Sequence, residues 1–429
     1  MRGDVEQDQV CAEAVRCGFL HTLSPGLTMA TSPTLIPDLL DAVIAELGSD
    51  RRITSSSLAP DAEAALKACV LASPVLRGSA QRQLFKTVYI DSNKRAKQFN
   101  EILAGNIEVA RSVLKFTASS GPPRFAWMHA QSPFSLTSLL SLLPCLEQFV
   151  LFTCDFTKHF ASDASRESLY RSLPATVIHF SSGDCTFSDS TQLVDLLRQF
   201  KSPLRSFRIN IPTWTGDEDA QMSFPPEIAP QALSVHALWG SSDVVRPWFT
   251  LFSLQNLTKL DLTLHLPDDV PRWQIALDSA PKLQSINIQQ LVLHTTSLNL
   301  RSLSELRDLS AEYGHMWDYR VPGNNPDPMR AFCRMLASAT GVRLERAKLV
   351  FGYHAMELFK LVDWLQLQKD VNRCAWASDQ RHFDIILSRK RGEVNEECDQ
   401  CLLYLESSFE KYDIRGIKVV QEFWEGYRR

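Results

Sequence analysis

The sequence lacks a surplus of positive charge. Its 45 Lys and Arg face 49 Asp and Glu, a formal net charge of −4, and neither half is markedly basic. A general grip on nucleic acid needs a clustered cationic surface, so no nucleic-acid partner is expected. Cysteine is sparse. Ten in 429 residues form no paired framework, and several, such as Cys69 and Cys154, lie inside apolar runs. They read as reduced core thiols, which points to the cytosol or nucleus. No apolar run approaches the roughly 20 residues that span a bilayer, so no membrane segment is expected. Asp4, Glu6 and Asp8 precede any apolar run, which argues against a secretory signal.

Catalytic patterns are missing as well. The sequence has no Gly-rich phosphate loop, no nucleophile elbow and no histidine pair at helical metal spacing. The lone "CDQC" at Cys398 and Cys401 has no second pair at zinc spacing and sits in an amphipathic stretch, so it reads as core. His159, His179 and His236 each stand beside apolar residues and read as ordinary packing. The expectation is a chain that is not an enzyme and has no catalytic residues, no cofactor and no metal.

What is present begins after a weakly periodic lead-in. Residues 1–33 are expected to be disordered, with Met29 a plausible true start. "TLIPDLLDAVIAELG" then has Pro37 and Asp38 suited to a helix first turn. Leu39, Val43 and Leu47 form one apolar stripe, and Leu40 and Ile44 a second beside it. A polar loop follows. Asp61 and Glu63 open a second helix that is apolar nearly all round, through "LKACVLA", and Pro74 closes it. A third short helix runs from about Arg77 to Phe85, and "TVYI" reads as a strand. Three short helices in about 50 residues bury too little surface to be comfortable alone. Either the rest of the chain covers them or part of this surface is a partner's docking site.

From about residue 110 one phrase recurs: an amphipathic helix, an apolar residue, then apolar positions three and five residues later. It gives Leu146, Phe149, Leu151; Ala175, Ile178, Phe180; Leu204, Phe207, Ile209; Leu257, Leu260, Leu262; Leu283, Ile286, Ile288; and Leu344, Ala347, Leu349. "ALSVHA" (Ala232, Val235, Ala237) and "ELRDLSA" (Leu306, Leu309) fill the two long gaps. The first phrase continues to Cys154 and Phe156. "HFDIILS", "EVNEECDQCLLYLESSFEKY" and "GIKVVQEF" read as strand, helix and strand. One such unit cannot bury both its walls, so units stack into an array of parallel strands. The residues between the core positions then face outward and offer a recognition surface: Arg205, Arg208, Lys259, Asp261, Gln284 and Asn287 among them. The interruption at residues 311–329 breaks the period. It carries Trp317 and Tyr319, which are equally suited to a binding loop or to folded-back packing.

Two resemblances follow from these residues. Leu35, Pro37, Leu39, Leu40, Ile44 and Leu47, continuing through Leu66, Cys69, Leu71, Ser73, Ala80, Arg82, Leu84 and Phe85, resemble an F-box of the kind common in fungal proteins. Leu76 stands where that family usually has Trp. The period in the high twenties resembles an irregular leucine-rich-repeat array. Together they imply an α/β chain: a lead-in (1–33), a short three-helix F-box-like domain (34–90), and a leucine-rich-repeat-like solenoid (91–429) with strands on the concave side and helices on the convex side. The resemblance also implies a substrate-recognition subunit of a cullin–RING ubiquitin ligase. Pro37, Leu39, Leu40, Val43, Ile44, Leu47, Leu66, Cys69, Leu71 and Leu76 would meet a Skp-family adaptor, and the solenoid would hold an unidentified target protein. The alternative is a non-catalytic binding scaffold whose F-box-like helices only cap the array.

Overall fold

The computed structural model describes residues 41–46, 60–120, 126–129, 132–210, 213–215, 229–236, 253–264, 269–289, 297–313, 330–339, 342–351, 359, 362–376, 383–390, 396–412, 414 and 416–424. The chain divides into two compact units, Met1–Val43 and Ile44–Arg429. Only residues 41–43 of the first are described, and they are helical.

The second unit is α/β and is organised by one sheet of twelve strands. In chain order these are β1 (Thr87–Ile90), β2 (Lys115–Ser119), β3 (Gln148–Phe152), β4 (His179–Gly183), β5 (Ser206–Asn210), β6 (Ala232–His236), β7 (Lys259–Thr263), β8 (Ser285–Gln289), β9 (Asp308–Tyr313), β10 (Arg346–Phe351), β11 (Phe383–Lys390) and β12 (Ile417–Trp424). Order in the sheet equals order in the chain, and every pairing is parallel. Parallel neighbours need a crossover, and right-handed crossovers that always step the same way all return on one face. The helices therefore lie on that face, and their buried residues join the strands' inward residues in a single core.

The backbone repeats as well as the side chains. Just before each strand, one carbonyl accepts two successive N–H groups from the next unit. Leu114 accepts from Glu147 and Gln148, Glu147 from Ile178 and His179, and Ile178 from Arg205 and Ser206. The ladder continues through Arg205, Gln231, Thr258, Gln284 and Arg307. Thr153 and Asp184, at equivalent places after β3 and β4, both take positive φ, 51° and 50°. Between units, Phe116, Phe149, Phe180 and Phe207 occupy register-paired inward positions and stack at centroid distances of 5.8–6.4 Å.

Ahead of the sheet stand α1 (Pro60–Ala72) and α2 (Pro74–Phe85). Pro74 does two jobs: it excludes Ser73 from the α region and it occupies the first turn of the next helix. Ser73 is extended, and its hydroxyl accepts from the Val75 N–H at 3.2 Å. The third helix therefore begins at Pro74, not near Arg77. Ile44, Leu66 and Ala80 form a satellite core with Cys69, Val70, Leu76 and Leu84 packed on it. The segment after α2 is α3 (Asn93–Gly105) and α4 (Ile107–Ser112). α2 packs on α4 and on β1.

Several sequence expectations shift. "TVYI" is the first strand of the large sheet, so the sheet begins inside the segment assigned to the helical domain. β2 was not anticipated, although Val113, Phe116 and Ala118 fit the phrase and are fully buried. On β4 the core positions are Val177, Phe180 and Ser182, with Ala175 exposed and Ile178 half-buried. On β6 it is Leu233 that pairs with Leu260, two residues ahead of the expected Val235. β9 runs on to Tyr313, into the stretch read as an interruption. Residues 1–33 lie outside the described residues, and so does the rest of that interruption beyond Tyr313.

Candidate binding surfaces

Two surfaces carry candidate binding residues. The first is the sheet face away from the helices. Its middle row runs Ser181, Arg208, Ser234, Asp261, Asn287, Ser310, Lys348, Asp384 and Lys418 across β4 to β12. The row before it includes His179, Ser206, Lys259, Ser285, Asp308 and Arg346. Period-2 alternation sends these outward while their neighbours fill the core. β5 shows the pattern directly, with Phe207 and Ile209 buried and Arg208 exposed.

The sequence-named residues fall on this face or at its edge. Arg205, Arg208 and Lys259 are exposed, and Asp261, Gln284 and Asn287 are half-buried. The Lys259 ammonium lies 3.8 Å from the Asp261 carboxylate on its own strand. Arg346 meets its register partner Asp308 at 3.3 Å, and Arg307 meets Glu345 at 3.2 Å. The two arginine pairs are exposed and contribute about 0–1 kcal/mol each, so they set the charge pattern more than the stability. Arg205 and Arg208 differ: among the described residues neither is ion-paired, and Arg208 Nε only reaches Asn210 Oδ1 at 3.5 Å. His179 Nδ1 lies 2.6 Å from Ser206 Oγ across the strand pair. Burial and then the Arg205 charge hold His179 below the usual histidine range. The face is not polar throughout. Thr117 and Val150, register partners on β2 and β3, are buried although they point outward. Trp317 and Tyr319 lie outside the described residues.

The second surface belongs to α1 and α2. The sequence suggests a helix buried almost all round, yet among the described side chains of α1 only Ala62 and Leu66 are buried. Leu71 is 67% exposed, and Val75, at the start of α2, is 71% exposed. Of the residues assigned to an adaptor, Leu66 (0% exposed) and Ile44 (3%) are interior. They hold the helices together and offer no surface. Cys69 and Leu76 are half-buried against the same satellite core. Val43, in the first unit, is exposed. Pro37, Leu39, Leu40 and Leu47 lie outside the described residues. Val75 was missed, although an apolar residue directly after a helix-opening proline was the available signal.

No family model and no curated protein matches the chain. Its reading therefore rests on its own residues.

The thiols behave as core. Cys154, Cys185, Cys333, Cys374 and Cys401 are buried and unbridged. The Cys185 thiol donates to the Gly183 carbonyl at 3.4 Å and the Leu151 carbonyl at 3.7 Å. Cys374 does the same to Leu336 and Asp370 at 3.2 and 3.3 Å. Cys185 stands eight residues after Val177, as Cys154 does after Leu146, so the backbone-capping position occurs in two successive units. Burial pushes the Cys154 thiol well above its ordinary range and Cys185 up to about 11. Among the described residues no group of three or more metal-ligating side chains converges, and no helix is long and apolar enough to cross a membrane.

Proposed function

We propose that the chain is a non-catalytic recognition subunit of a cullin–RING ubiquitin ligase. The α1–α2 region docks a Skp-family adaptor, and the polar face of an irregular leucine-rich-repeat solenoid holds a target protein. The observation that carries the reading is the uncovered apolar surface of α1 and α2 over a satellite core that, among the described residues, holds the buried side chains of Ile44, Leu66 and Ala80. Covering a leucine or a valine contributes ~1.5–3 kcal/mol each, so Leu71 and Val75 are worth covering. The sequential parallel sheet, with its repeated helix-to-strand phrase, is what such a solenoid requires. Its outward rows of mixed polar and charged residues suit protein recognition. Arg205 and Arg208 are the side chains there best able to take a new acidic partner.

A second reading has its own support. α2 packs on α4 and on β1, as a cap on the end of the array would. In that case the helices shield the first strand, and the chain is a scaffold without a ligase. Co-purification of the full chain from native cells separates the two. A Skp-family adaptor and a cullin recovered with it support the ligase reading. Target proteins recovered without either support the scaffold.

A further inference from the structure

We propose that an acidic segment of the target docks across β4 and β5 beside His179, and that its docking strengthens as the solution becomes mildly acidic. The proposal rests on the reading of the outward sheet face as the recognition surface. His179 opens β4, and its register partners are Gln148 on β3 and Ser206 on β5. Charged groups face it from both neighbours: Glu147, directly before β3, and Arg205, directly before β5. Arg208 stands one outward place further along β5, opposite Ser181 of the same strand as His179.

Charge selects the partner. Lys259, Arg307 and Arg346 on this face each meet a carboxylate. Arg205 and Arg208 are exposed and, among the described residues, meet none. Arg208 is flanked by the short side chains of Ser181 and Ser234, its register partners on β4 and β6. An extended acidic segment supplies a separate carboxylate for each guanidinium, and a charge-assisted hydrogen bond of that kind is stronger than a neutral one.

His179 couples this docking to a proton. Its Nδ1 lies 2.6 Å from Ser206 Oγ. A hydroxyl both donates and accepts, so Ser206 serves the neutral ring as a donor and the charged ring as an acceptor. The ring therefore gains a proton without losing its partner. In the free chain, burial and then Arg205 hold His179 below its usual range, against the pull of Glu147. A carboxylate seated on Arg205 offsets that positive charge and favours the imidazolium. Docking then raises His179, and the segment binds together with a proton. Affinity is greatest where the free ring is already charged and falls as the pH rises through the bound ring's range.

The test uses the full chain and a fluorescein-labelled hexaglutamate peptide, followed by anisotropy at low ionic strength. Glutamate titrates at about 4.3, so the probe stays ionised down to pH 6.0. Affinity for the wild type should rise ~3-fold from pH 7.5 to pH 6.0, within the tenfold per pH unit that one proton allows. His179→Gln should bind with an affinity that does not change over that range. Arg205→Glu/Arg208→Glu should weaken binding at least ~10-fold at both pH values. Wild-type binding that depends on the two arginines but not on pH overturns the proton coupling while leaving the recognition face in place. Equal affinity of wild type and double arginine variant, or no binding by wild type at either pH, overturns the docking itself. Should a variant fold poorly, the wild-type ratio between the two pH values still decides the coupling.

Discussion

Phe180 and Phe207 are register partners on β4 and β5, and their rings stack 5.8 Å apart and within 6° of parallel. Phe149 joins the same row at 5.8 Å from Phe180, and Phe200 closes on Phe180 from the helix side at 5.0 Å. A side chain shared by three aromatic neighbours cannot be removed without a cavity. Phe180→Ala should cost about 3–5 kcal/mol by denaturant unfolding. A near-neutral result would mean that the row is loosely packed.

The same logic applies where the core is aliphatic. Leu260 and Ile286 are paired across β7 and β8 and are almost fully buried. Leu260→Ala and Ile286→Ala should each cost about 2–5 kcal/mol. Because the residues touch, the double variant should depart from additivity in a double-mutant cycle.

Outward residues should behave oppositely. Arg205→Glu and Lys259→Glu change exposed charges on a face with no core beneath those side chains, so melting temperatures should stay near wild type, with stability within about 0.5 kcal/mol. What should change is binding of an acidic target. Unfolding by either swap would place that residue inside the structure.

Much of the array was legible because its signal is periodic. Leu146, Leu204, Leu257, Leu283, Leu306 and Leu344 each mark the residue three before a core strand position, and all are buried. The misplacements on β4 and β6 were slips of two residues. Strand side chains alternate with period two, so a slip of two keeps the inward face while misnaming its first member. Ser182 hid the true register of β4, since a buried serine does not look like core. The helical surface was less legible. A sequence that is apolar all round does not say which side is covered, and it named Ile44 and Leu66 as surface when they are the satellite core.

The buried thiols set an alkaline limit. Cys185 is raised from 9.0 to about 11 by burial, so the native chain keeps a proton that the unfolded chain has already lost. The stability this contributes is fully present below pH 9 and falls as the pH rises from about 9 to 11. Urea midpoints at successive pH values should decline across that window. Thiol alkylation of native protein at pH 8 should spare Cys185, and alkylation after unfolding should not. Rapid native labelling would mean that Cys185 is accessible.

The account turns on whether the uncovered apolar surface of α1 and α2 meets an adaptor. The direct measurement is the affinity of a purified Skp-family adaptor for the full chain and for the Leu71→Asp/Val75→Asp variant, with Ile44→Asp as the structural control. Leu71 and Val75 are exposed, so the double variant should melt like wild type, whereas Ile44→Asp buries a charge in the satellite core and should disrupt it. The ligase account predicts that wild type binds the adaptor and that the double variant loses at least ~100-fold in affinity, about 2.7 kcal/mol. Equal affinity of wild type and double variant, or no adaptor binding by wild type, would contradict it.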